Sequence, residues 1–89
     1  MKINDNYIIQ NIAGEYLVVP IAEEVDKVQG VISLNETSAF LWNKIIDGCS
    51  SKTELRDALL QEYRVDVTTA ENDIDSFLEA LESIGCLES

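Results

Sequence analysis

The chain has 89 residues with 46% hydrophobic side chains, enough for one compact core and too apolar for a disordered tail. Lys and Arg total 6 against 17 Asp and Glu, so the formal net charge is -11. That field repels phosphate backbones and anionic lipid and favours cationic partners.

The start, Met1-Lys2-Ile3-Asn4-Asp5, carries no basic segment followed by an apolar run, so no signal peptide is expected. No apolar stretch is long enough to span a bilayer. The expected compartment is the cytoplasm. There Cys49 and Cys86 read as two buried or half-buried thiols, with a disulfide between them as the alternative. With no His and two Cys, a structural zinc site lacks ligands.

Tyr7 to Ile12 is apolar and β-branched and reads as a strand. Ala13-Gly14-Glu15 reads as a turn, with Gly14 available for a positive φ, and Tyr16 to Val19 as the returning strand of a hairpin. Pro20 donates no ladder hydrogen bond and marks that strand's end or an edge. A charged connection, Ala22 to Lys27, leads to a third strand, Val28 to Leu34, in which Gly30 signals a bulge or a close backbone approach.

Three helices follow. Asn35 is a good N-cap, Ala39, Phe40, Trp42, Ile45 and Ile46 recur at helical spacing, and Gly48 closes the first helix. Ser51 and Glu54 form a capping-box pair for the second, whose apolar face is Leu55, Ala58, Leu59 and Tyr63. After a linker, Arg64 to Val67, Thr68 and Glu71 repeat the pair for the third. Its apolar positions are Ala70, Ile74, Phe77, Leu78, Leu81 and Ile84, with Gly85 at its end and Leu87 folding back. The expected fold is α+β: a three-stranded antiparallel sheet followed by a three-helix bundle, as a single domain over residues 1–89.

Catalytic groups are sparse. There is no His base, no nucleophile motif around either Cys, and no Gly-rich phosphate loop. A winged-helix DNA reader is disfavoured, because the third helix carries Glu71, Asp73, Asp75, Glu79 and Glu82 and the last basic residue is Arg64. A binding module without cofactor or metal is the expectation, and an acidic adaptor docking on a basic enzyme is its competitor.

"GEYLVVP" (Gly14 to Pro20), "GVISLNETSAFLW" (Gly30 to Trp42), "DG" (Asp47-Gly48) and "DIDSFLEALESIGCL" (Asp73 to Leu87) occur in this order. Together they resemble the PqqD family, which includes the chaperone of pyrroloquinoline quinone biosynthesis and the peptide-recognition domains called RiPP recognition elements. The resemblance implies three strands followed by three helices, with a winged-helix-like look. It implies binding of the leader segment of a ribosomally made precursor peptide, which adds as a strand to the third strand beside the third helix. It also implies a modifying enzyme as second partner, often a radical S-adenosylmethionine enzyme that holds its own cluster.

On that pattern the edge residues are Val28, Gln29, Gly30, Val31, Ile32 and Ser33. On the third helix Asp73, Phe77, Ala80 and Ile84 share one stripe, and Ala70, Ile74, Leu78 and Leu81 the next. The expectation is that the first stripe lines a peptide groove and the second packs the core. The alternative, that Phe77 and Ile84 are core, stays open because periodicity does not fix helix rotation.

Overall fold

The computed structural model describes residues 1–21 and 32–88. Its strands are β1 (Lys2–Ile3), β2 (Tyr7–Ile12), β3 (Glu15–Pro20), β4 (Ile32–Leu34) and β5 (Leu87–Glu88). Its helices are α1 (Glu36–Ile46), α2 (Lys52–Glu62) and α3 (Val67–Ser83). β2, β3 and β4 form an antiparallel sheet in that order, so the expected α+β architecture is present. The connection Ala22 to Lys27, and the first part of the strand expected from Val28, lie outside the described residues.

The β2–β3 hairpin closes through two residues, with Ile12 opposite Glu15. Ala13 has φ 53° and Gly14 φ 85°, the pattern of a type I′ turn, which matches the twist of the strands it joins. Gly14 N–H donates to Asn11 Oδ1 at 3.2 Å, which holds the turn. Gly14 suits its conformation, whereas Ala13 places a Cβ in left-handed space. Ala13→Gly is therefore expected to stabilise the fold by about 0.5–1 kcal/mol, read from the midpoint of urea unfolding.

Helix ends follow from capping chemistry. Asn35 Oδ1 accepts from Ser38 N–H at 2.8 Å, and Ser51 Oγ from Glu54 N–H at 3.2 Å. The third helix begins earlier than the Thr68–Glu71 pair suggests. Asp66 is its N-cap, accepting from Thr69 N–H at 2.7 Å, and Val67 is already helical rather than linker. A carboxylate accepts this bond more strongly than a threonine hydroxyl and also meets the positive end of the helix dipole.

That bond to the Thr69 backbone holds the Asp66 carboxyl below its ordinary range. A depressed carboxylate stabilises the fold above its unfolded pKa, and the contribution disappears as pH falls through the folded value. Asp66→Ala should thus lower Tm at neutral pH, with the gap to the parent closing once the solution is more acidic than the native Asp66 carboxyl. Melting curves against pH check this.

α3 ends in a Schellman motif: Gly85 N–H donates to Glu82 C=O at 3.1 Å and Cys86 N–H to Leu81 C=O at 3.0 Å, with Gly85 at φ 74°. The residue that folds back is Cys86. Leu87 instead enters β5, which pairs antiparallel with β1 through Ile3. This two-stranded clasp has no counterpart in the sequence reading, because two residues per strand leave no alternation to detect.

The core runs between the inner sheet face (Tyr7, Val18, Leu34) and all three helices, including Leu41, Trp42, Leu55, Leu59, Ile74, Phe77 and Leu81. Tyr7 spends its hydroxyl on the C-terminal end of α3, donating to Ile84 C=O at 2.9 Å. Cys86 is buried and its thiol is pushed up to about 11 by desolvation; Cys49 is half-buried, and both are free thiols.

Candidate peptide-binding edge

The hydrogen-bond phase of the sheet decides which backbone groups face outward. Ile21 N–H donates to Asn6 C=O at 2.9 Å, which extends the β2–β3 register by one pair. Hydrogen-bonded pairs alternate along an antiparallel ladder, so Ile8, Gln10 and Ile12 of β2 point their backbone groups at β3. The same alternation turns Tyr16 and Val18 of β3 toward β4, where they face Leu34 and Ile32. Ser33 is left with its N–H and C=O directed away from β3, at the outer edge of the sheet. Its side chain, opposite Leu17, is exposed on the face away from the core.

Of the six edge residues expected from sequence, Ile32 and Ser33 are described. Ile32 is half-buried against the core and Ser33 carries the outward backbone. Val28, Gln29, Gly30 and Val31 lie outside the described residues.

On α3 the four expected groove residues divide by depth. Phe77 and Ile84 are buried, 2% and 5% exposed, and belong to the core cluster. Asp73 and Ala80 are half-buried. Ion pairs fix the rotation that periodicity leaves open. Lys52 Nζ lies 3.0 Å from Asp75 Oδ1, and Arg56 Nη1 3.8 Å from Glu71 Oε2, so the flank bearing Glu71 and Asp75 faces α2. At 100° per residue Glu79 and Glu82 fall on or next to that flank, while Asp73, Phe77, Ala80 and Ile84 lie on the opposite side. The helix's acidity is therefore concentrated away from the expected groove, where Asp73 is the one charged residue of the stripe.

A cleft of about 400 Å³ between α2 and α3 is lined by Lys52, Arg56, Glu71, Ile74 and Asp75 among others. It lies on the α2 flank and does not coincide with the β4 edge. Its rim is made of exposed ion pairs, which solvent screens, and a strand-adding ligand requires a backbone edge rather than a cavity. Among the described residues no cluster of three or more Cys, Asp or Glu is placed to hold a metal ion, and no helix is long and apolar enough to cross a membrane.

Residues 15–87 match the family model described as "Coenzyme PQQ synthesis protein D (PqqD)". Among solved structures, the chain is similar to TbiB1 in complex with the TbiA(beta) leader peptide, at 26% identity and TM-score 0.71, covering 100% of both chains. It also shares its fold with a lasso peptide synthetase B1 complexed with the leader peptide, at 21% identity and TM-score 0.68, covering 91% of this chain and 88% of that one. No curated protein matches the chain in sequence.

Proposed function

The chain belongs to the PqqD family, and from that premise we propose that it binds the leader segment of a ribosomally synthesised precursor peptide by strand addition at β4 and presents it to a modifying enzyme. The single observation that carries this reading is the outward backbone of Ser33 at the end of the sheet. An unpaired edge accepts an extended chain through main-chain bonds, and side-chain pockets then supply selectivity. Full-length likeness to TbiB1, solved with a leader peptide, supports a leader peptide as the ligand.

In this reading Ile32 and Ser33 form the described part of the edge. Ala80 and Asp73 line the accessible wall of α3, and Phe77 and Ile84 are its apolar floor. The leader's inward side chains would meet apolar surface with a single carboxylate, so the acidity of α3 sets no general demand for a cationic leader. Glu79 and Glu82 face elsewhere and are available to a basic surface on the enzyme. The chain performs no chemistry of its own; any cluster, such as that of a radical S-adenosylmethionine partner, resides in the enzyme. Its place of work is the cytoplasm.

Titration of the isotopically labelled chain with the leader of a precursor encoded beside it tests the proposal. Saturable shifts of the Ile32, Ser33 and Leu34 amides are expected. Binding that leaves these three unmoved, or no binding, refutes it. An acidic adaptor would show the enzyme contact without the peptide contact.

A further inference from the structure

The sheet has a second edge. β2 reads Tyr-Ile-Ile-Gln-Asn-Ile: six residues with no charge, no Pro and no Gly, in a chain that is 26% charged. Sheet edges are ordinarily guarded by Lys, Pro, a bulge or a very short strand, and β2 has none of these. The phase of the β2–β3 ladder turns Tyr7, Ile9 and Asn11 outward. Tyr7 N–H is already given to Asn4 C=O at 3.3 Å. Ile9 and Asn11 are left with N–H and C=O both directed outward and without a backbone partner among the described residues.

On the outer sheet face the same strand exposes Ile8 (44%) and Ile12 (50%), with Gln10 between them. These residues complement themselves. If two copies of β2 pair antiparallel with Ile9 opposite Asn11 of the second copy, every outward group of those residues is used. Gln10 then sits on the two-fold axis opposite itself, and Ile8 stands opposite Ile12 of the second copy. Those are non-hydrogen-bonded positions, where facing side chains come closest. Pairing Ile9 with itself would instead require the Tyr7 N–H that Asn4 occupies.

We propose that the β2 edge is a homodimer interface, joining two sheets into one with the order β4-β3-β2-β2-β3-β4. Both β4 edges remain at the ends of that sheet, so dimerisation leaves strand addition at β4 unobstructed. The occupant is a second copy because the register that satisfies the outward backbone also pairs the exposed isoleucines, and an isologous contact of this kind closes on itself. Each copy carries a net charge of -11, which opposes association at low salt. Screening shortens from about 10 Å at about 0.1 M to about 3 Å at about 1 M salt, so the dimer should strengthen with ionic strength.

Sedimentation equilibrium of the full chain at these two salt concentrations, combined with cysteine cross-linking, tests the proposal. A concentration-dependent dimer that grows with salt is expected. Gln10→Cys, placed on the axis at a separation a disulfide spans, should give a covalent dimer under mild oxidation. The parent chain, with Cys86 buried and Cys49 half-buried, and Ser33→Cys serve as comparisons. Gln10→Glu, which sets two like charges against each other on an exposed surface, should leave the monomer folded and weaken the dimer about two- to fivefold at about 0.1 M salt, the difference closing at about 1 M. A monomer at both salt concentrations overturns the proposal, as does Gln10→Cys cross-linking no faster than Ser33→Cys.

Discussion

Ser33→Pro is expected to weaken leader binding about 10- to 100-fold while leaving the domain folded. The Ser33 N–H points away from β3, so proline there removes no bond of the β3–β4 ladder and is tolerated as at other strand edges. Ile32, the residue before it, is already extended, as a pre-proline residue must be. The stability cost should stay within about 1 kcal/mol, because no packed side chain and no β3–β4 bond is lost. An incoming strand, by contrast, loses its donor at Ser33 and buries a carbonyl without a partner, which costs about 1–3 kcal/mol. Ser33→Ala keeps the backbone and removes only an exposed hydroxyl, so its affinity should match the parent's. The contrast between the two variants, measured by calorimetry, separates backbone recognition from side-chain recognition at one position.

The second large effect is on stability. Phe77 is 2% exposed and packed in the central cluster, so Phe77→Ala should cost about 3–5 kcal/mol. A domain of this size has a total stability of only about 5–10 kcal/mol, and the variant should unfold well below the parent in temperature and denaturant. Ala80 sits one turn further along the same stripe but half-exposed. Ala80→Glu should alter stability by less than about 1 kcal/mol and yet weaken the leader about tenfold, because a carboxylate then replaces part of an apolar wall. Chemical denaturation and leader titration of the pair divide the stripe into the residue that builds the wall and the residue that meets the ligand.

Much of this architecture is legible in the sequence because it rests on local chemistry. Asn35, Ser51, Gly48 and Gly85 mark helix ends wherever they fall, since each satisfies backbone groups a few residues away. The hairpin is legible from Gly14 between two β-branched runs. Features that depend on distant partners are not. The β1–β5 clasp joins Ile3 to Leu87 across the whole chain and shows no periodicity in either segment. Asp66 competes as a cap with Thr68, and only the placed helix shows which oxygen the first turn uses.

The rotation of α3 is the clearest case. A wide apolar arc is compatible with more than one facing direction, and it took Lys52 and Arg56, more than a dozen residues upstream, to assign one acidic flank to α2. The outward direction of Ser33 is likewise a property of ladder phase, set by the β2–β3 pair and transmitted through β3. Composition and periodicity carry no record of it.

The most direct measurement is amide hydrogen exchange at Ser33, with and without a bound leader. In the free chain this N–H has no ladder partner among the described residues and should exchange at a rate close to that of an open edge. Strand addition at β4 predicts that a saturating leader slows Ser33 exchange strongly, while Gln10, already bonded to β3, changes little. A leader that binds yet leaves Ser33 exchanging as before, with new protection confined to the α2–α3 cleft, would contradict the account.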